Sequence, residues 1–346
     1  MGKFCFKVFI IAFLIAAFSF VNCYFDTFNV FHWDNIRITT ASLNNNFVKT
    51  KYVVHNKDKF NAFVFGSSRV ANIPQIVLTN ELDGKSLNWY NMTCPWGIPA
   101  EHFLTLKTFL KNGVRIKTLV LAFDELAMYR SLEIHRRELG LLPYQMYEEN
   151  KLNFYRRYIQ AVPPLSIVKE VLRYNPNENE EAVKLFYNYG GNNWNLALGE
   201  KPPSGSYEST LDVGYAQKDA CKDIENFSKL CAEHDIKLIV FTNPIYETTY
   251  KKAVGAGYFD LLKKVAEHCE FYNFSSLNNY TTDSRYYYES SHYRPALGLL
   301  VGKFLFGTES EREKIRRESG DDLWGVKVNS QNIEQIIDHL KSQLNR

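Results

Sequence analysis

The chain has 346 residues, 45% of them hydrophobic and 23% charged, which excludes a disordered polymer and suits one large core with an insertion, or two smaller domains. A formal net charge of +3 without long runs of like charge gives no electrostatic footprint for nucleic acid, so that class is set aside.

The first element is an apolar run. Lys3 and Lys7 precede an unbroken stretch from Val8 to Val21, and Phe4, Phe6 and Cys23-Tyr24-Phe25 lengthen it to about 20 residues, as a hydrocarbon core requires. Ser-Phe-Val-Asn-Cys is a poor cleavage site, and Asn22 is bulky where a lipoprotein signal carries a small residue ahead of its cysteine. Residues 1–25 are expected to be a retained signal anchor, with a cleaved signal as the alternative. The lysines ahead of the run and Asp26 and Asp34 after it place the N-terminus in the cytoplasm and the body outside, in the cell envelope or periplasm.

Five short apolar runs follow, at 61–66, 86–92, 117–123, 236–242 and 269–274. Near-continuous apolar runs between turn residues suit strands buried on both faces. Helical patterns lie at 99–112, 216–234, 247–268 and 294–305, while 71–84 allows only a short or irregular helix. The alternation predicts an α/β domain over 26–306, a three-layer, doubly wound, flavodoxin-like sheet of five parallel strands in the order 2-1-3-4-5. Residues 127–215 interrupt it after the third strand, far beyond an ordinary connection. The insertion leaves the carboxyl end of a strand, where α/β folds bind ligands, and is read as a lid, or else as a structural insertion facing elsewhere. Residues 307–346 form a charged segment and a helical tail. Six cysteines match no metal pattern, and no cofactor is called for.

Two segments carry chemistry-bearing residues. Phe-Val-Phe-Gly-Ser-Ser-Arg-Val, at 63–70, is a strand that stops at Gly66 and presents Ser67, Ser68 and Arg69 at the edge of the expected crevice. After the fifth strand, Glu289 and His292 stand three apart, so one turn aims both side chains the same way; the carboxylate then takes the Nδ1 proton and leaves Nε2 facing a serine. First and fifth strands lie about 14 Å apart in that order, within easy reach of the linking residues 275–288, which span up to about 45 Å. Tyr286, Tyr287, Tyr288, Tyr293 and Trp96 surround these segments and could stack on a sugar or simply pack.

The order of a Gly-x-Ser turn after the first strand, a glycine turn after the second and an acid-x-x-His loop before the last helix resembles the SGNH (GDSL-like) hydrolase superfamily. The motifs at 63–70, 88–101, 119–125 and 289–298 are similar to its membrane-anchored bacterial branch, which includes alginate O-acetyltransferases and D-alanine-transfer proteins. The resemblance implies Ser68 as nucleophile, His292 as general base, Glu289 as its orienter in place of the usual aspartate, and the Ser68 and Gly97 amides as oxyanion donors. Ser67 stands where the family has aspartate, and Asp124 where it often has asparagine. Asp124 is expected to pair with Arg69 and hold the turn, or to cap the helix that follows it; Asn91 and Asn243 are the substitute polar donors. The implied function is a serine-dependent O-acyl esterase or acyltransferase acting on an envelope or exported glycan or an acylated small molecule, with a multi-spanning membrane partner as acyl donor if it transfers. The alternative is a non-catalytic glycan-binding or assembly module on the same fold.

Overall fold

The computed structural model describes residues 2–31, 45–74, 87–129, 151–162, 165–173, 180–191, 196–199 and 220–345, with the single residues 77, 132 and 175. Among them, β1 (Ala62–Phe65), β2 (Trp89–Asn91), β3 (Thr118–Phe123), β4 (Lys237–Thr242), β5 (Phe271–Asn273) and β6 (Val326–Val328) form one sheet in the order β2-β1-β3-β4-β5-β6. The first five are parallel and follow the expected order, whereas β6 runs antiparallel to β5. The sheet thus has six strands where the sequence predicts five, all parallel. The extra strand is a three-residue Val-Lys-Val, too short to show a period, and is aimed by Gly325 at φ 70°, whose amide donates to Asn273 O at 2.7 Å.

The helices are α1 (Gly2–Phe25), α2 (Asn45–His55), α3 (Pro99–Lys111), α4 (Leu126–Tyr129), α5 (Lys151–Gln160), α6 (Leu165–Arg173), α7 (Glu180–Tyr189), α8 (Cys221–Glu233), α9 (Glu247–Gly255), α10 (Tyr258–His268), α11 (Pro295–Phe306), α12 (Glu309–Ser319) and α13 (Ile333–Leu344). The strand period of two explains the layering. Phe63 and Phe65 of β1 face Phe109 of α3 and Phe227 of α8, while Ala62 and Val64 face Leu297 and Val301 of α11. The helix expected over 247–268 is split into α9 and α10 by Gly257, which adopts φ 100°. Of the first crossover, the described residues include a 3-10 turn at Val70–Asn72 and Val77 in 3-10 conformation, while 75–76 and 78–86 lie outside them.

α1 is long and apolar enough to cross a membrane over Phe4–Phe25, and Phe9, Phe13, Leu14 and Phe20 all point away from the protein. α2 has no readable apolar stripe because it is buried nearly all round, two lysines included. Lys49 Nζ donates to Thr93 O at 2.8 Å and Lys51 Nζ to Val30 O at 2.9 Å, and burial brings each ammonium down to about 8. From the insertion, Phe154 and Tyr158 of α5 and Phe186 of α7 pack with Phe47, Tyr52 and Tyr90, over α2 and the β2 edge. Residues 196–199 run elsewhere: the Gly199 amide donates to Arg285 O at 2.9 Å, beside the Glu289–His292 loop. Much of the expected lid, including 133–150 and 200–215, lies outside the described residues. No disulfide joins the six cysteines.

One contact sets the spacing between the two chemical loops. α11 follows the His292 loop, and its Gly298 lies so close to the turn after Ser68 that an added Cβ would stand 2.1 Å from Asn72 O. Gly298→Val should lower stability by at least ~1–3 kcal/mol, the cost of overpacking against an immobile backbone. Gly255→Ala, where a Cβ meets nothing within 4 Å, should be neutral or slightly stabilising. Urea melts of the full chain would check both.

Candidate active site

β1 ends at Phe65 and the chain turns at once. A Cβ on Gly66 would stand 2.5 Å from Val70 Cγ2, so only glycine lets the turn fold back tightly enough to lift the next residues over the strand end. The Gly66 carbonyl is fixed by two donors, the Cys94 amide at 3.3 Å and Nε2–H of the buried His102 at 3.1 Å. Ser67 then points inward and is buried, while Ser68 is partly accessible.

The second loop is closed by an isolated bridge between Tyr287 and Tyr293, both fully buried, so that the four residues from Glu289 to His292 bulge over the sheet's carboxyl end. Inside it the Glu289 carboxylate accepts the Ser291 amide at 2.7 Å, the His292 amide at 2.8 Å and, through a short bond, His292 Nδ1–H. That bond fixes the tautomer and leaves Nε2 as an acceptor, 2.7 Å from Ser68 Oγ. Partial burial pushes the Glu289 carboxyl up, but these hydrogen bonds outweigh it and hold the group below its ordinary range. It therefore stays ionised throughout the neutral range. The loop is steadied from below by Thr249 of α9, whose hydroxyl donates to Ser290 O at 3.0 Å.

Between the loops lies a buried charge cluster. Arg69, 2% exposed, makes a two-pronged pair with Glu125 at 2.6 and 2.5 Å and meets Asp124 Oδ2 at 3.1 Å. Its remaining donors reach into the acid–His loop, Nε to Ser291 O at 2.7 Å and Nη2 to Ser291 Oγ at 3.0 Å. Asp124 also accepts the Ser67 hydroxyl at 2.8 Å and the Leu126 amide at 3.1 Å. Pairing and helix capping, the two expectations for Asp124, are thus both present. Glu125 and Ser291 are not among the expected residues; the adjacent carboxylates of Phe-Asp-Glu at a strand end are the signal that points to Glu125. One guanidinium serves two buried carboxylates. Desolvation and the Asp124 charge therefore raise Glu125 above its ordinary value despite Arg69.

The oxyanion donors are less complete. No group of the described protein engages the Ser68 amide. Gly97 lies against the Gly66 carbonyl, where an added Cβ would stand 2.6 Å away, but its amide donates to Cys94 O at 3.1 Å and closes the turn Cys94-Pro95-Trp96-Gly97. Asn91 accepts the Thr93 amide at 2.9 Å through Oδ1 and so shapes the same loop. Asn243 is fully buried, accepts the Tyr293 hydroxyl at 3.3 Å, and its Nδ2 has no partner among the described residues. Of the surrounding aromatics, Tyr287 and Tyr293 are core anchors and cannot stack on a sugar; Trp96 and Tyr288 are exposed, the latter with the Arg294 guanidinium 4.3 Å over its ring. Cys94, though close, is no rival nucleophile, because burial and Glu101 push its thiol far up.

No family model matches the chain, and no curated protein matches it.

Arg69→Met tests the cluster. Stripping two buried carboxylates of their cation should cost about 3–5 kcal/mol at neutral pH. The native variant would bind a proton on Glu125, already raised by burial and now without its cation, at a pH where the unfolded chain has lost it, so its stability falls as pH rises past the ordinary carboxylate range. Urea melts should therefore show a gap to wild type that is widest near neutrality and narrows towards about pH 4. A gap independent of pH would mean that the loss is one of packing alone.

Proposed function

We propose that the protein is a serine-dependent O-acyl esterase or acyltransferase of the SGNH (GDSL-like) type, held in the cytoplasmic membrane by α1 with its body outside, and acting on an envelope or exported glycan. The observation that carries the reading is the unbroken chain Ser68 Oγ, His292 Nε2, His292 Nδ1 and Glu289 Oε1, with 2.7 Å at its nucleophile end. In such a chain Ser68 Oγ attacks the acyl carbonyl carbon as His292 Nε2 takes its proton, and the carbonyl π electrons move onto oxygen. In this reading the Ser68 amide, which no group of the described protein engages, receives that oxyanion. The intermediate collapses by expelling the alkoxide, which takes the proton from His292, and an acyl-serine remains. Water or a sugar hydroxyl then enters by the same steps in reverse. Ionised Glu289 steadies the imidazolium each time it forms.

A rival reading, a non-catalytic glycan-binding or assembly module, draws on one observation: the Gly97 amide is engaged with Cys94 O rather than offered to an oxyanion. Labelling separates the two. The full chain in detergent should take up one fluorophosphonate per protein and release p-nitrophenol from p-nitrophenyl acetate, and Ser68→Ala should lose both. Glu289→Gln should fold yet react slower by roughly 10²–10⁴, because the amide no longer stabilises the imidazolium or fixes its tautomer. A folded wild type that reacts no faster than Ser68→Ala would favour the binding module.

A further inference from the structure

The end of α1 is bonded to the insertion. Asn22, in the last turn of the apolar helix, donates through Nδ2 to Ile159 O and to Ala161 O, both at 2.8 Å, and α5 packs against α1. Asn22 lies three residues before the end of α1, about 4.5 Å along the axis. The exposed Tyr24 beside it is the kind of side chain that sits at a membrane–water boundary. The chain at 159–161 is thereby held level with the place where α1 would leave a bilayer.

The chain beyond residue 161 does not present a surface suited to water. Val162, Leu165 and Leu172 are 80%, 78% and 65% exposed, and the last two lie on α6, whose apolar residues Leu165, Val168 and Leu172 recur at helical spacing. Lys169 and Arg173 of the same helix are exposed, as are Arg156 and Arg157 of α5. Residues 151–173 carry five basic side chains (Lys151, Arg156, Arg157, Lys169 and Arg173) and one acidic, Glu170. A short helix with an apolar stripe and a basic polar side is the pattern that lies flat in a lipid interface, with its stripe among the acyl chains and its cations at anionic headgroups.

We propose that α6, with Val162, is a second membrane contact, lying in the lipid interface at the C-terminal end of α1 and holding the insertion against the bilayer. The occupant is the bilayer itself, because the hydrogen bonds from Asn22 hold residues 159 and 161, just ahead of Val162 and α6, against α1, the one helix among the described residues long and apolar enough to enter it. The proposal rests on α1 being retained as an anchor. It gives the insertion a role that the catalytic reading does not require: a tether at one point lets the body swivel, and a tether at two points fixes which side of the sheet faces the membrane.

The test uses the full chain in nanodiscs of phosphatidylcholine and phosphatidylglycerol doped with a phosphatidylcholine that carries a diazirine on its acyl chain. After irradiation, lipid adducts are mapped by peptide mass spectrometry. Adducts are expected on α1 and on 158–173, and the double variant Leu165→Glu/Leu172→Glu should lose those on 158–173 roughly tenfold while keeping those on α1. Both positions are exposed, so folding should be unaffected, and unchanged urea melts would check this. Adducts on α1 alone would overturn the second contact and leave the anchor standing, as would protection of 158–173 by a second copy of the chain or another protein. Adducts on neither would remove anchor and contact together.

Discussion

A single buried guanidinium holds the chemical end of this molecule together. Arg69 follows the candidate nucleophile directly, yet its partners come from two other parts of the chain: Asp124 and Glu125 at the end of β3, and Ser291 in the acid–His loop. The planar fork of arginine suits this, because two nitrogens can grip one carboxylate in parallel while the third nitrogen still points along the side chain to a carbonyl. Removing such an ion from water is costly, and only near-complete pairing makes the burial tolerable. The cluster is one positive charge short of neutral, so each donor that reaches the carboxylates counts. The Ser67 hydroxyl and the Leu126 amide are among them. Ser67 thus takes part in the charge cluster, one residue before the candidate nucleophile.

Electrostatics alone would not hold Ser68 Oγ at 2.7 Å from a histidine 224 positions away. The distance is set by backbone packing. Gly298 and Gly302 let α11 settle onto Asn72 and Val77, whose atoms would otherwise meet a Cβ at 2.1 and 2.2 Å. The helix that begins just after His292 is therefore seated directly on the segment that begins just after Ser68. Tyr287 and Tyr293 close the loop between, buried in the same apolar cluster as Leu297 and Val301. Core packing, hairpin-like closure and the ion cluster all restrain the same gap, which is how a hydrogen bond between distant residues becomes pre-organised rather than fortuitous.

This division explains what is legible in the sequence. The parallel strands and their helices can be read because strands buried on both faces must be continuously apolar, as in Phe-Val-Phe at 63–65 and Thr-Leu-Val-Leu-Ala-Phe at 118–123. Ser68, His292 and Glu289 can be singled out because strand-end turns carry glycine and the acid and histidine stand three residues apart, and the structure brings all three into one hydrogen-bonded chain. α2 cannot, since its lysines are inside and hide any apolar stripe. β6 cannot, since three residues do not show a period. Glu125 is harder to read: the adjacent carboxylates at the end of β3 hint at a buried pair, but a carboxylate beginning a helix ordinarily reads as a surface residue near the helix dipole, and the arginine that covers it lies 56 positions earlier.

The turn beside the nucleophile shows where local preference has yielded to its surroundings. Trp96 occupies the third position of the turn closed by Gly97 N–H and Cys94 O and adopts φ 59°, where glycine or asparagine is usual. Holding a bulky residue there costs on the order of 1–3 kcal/mol and persists only where neighbours over-determine it. They do so here. Lys49 holds Thr93 O, the Cys94 amide is bonded to Gly66 O, and His102 grips that same carbonyl from α3. Gly97 is packed so close to Gly66 and His102 that it admits no side chain. The strained conformation turns that ring outward, 43% exposed, at the rim of the nucleophile turn. Strain at this position is therefore coupled to the exposure of a large aromatic surface, and the network that tolerates the strain also grips the Gly66 carbonyl, at the turn that carries Ser68.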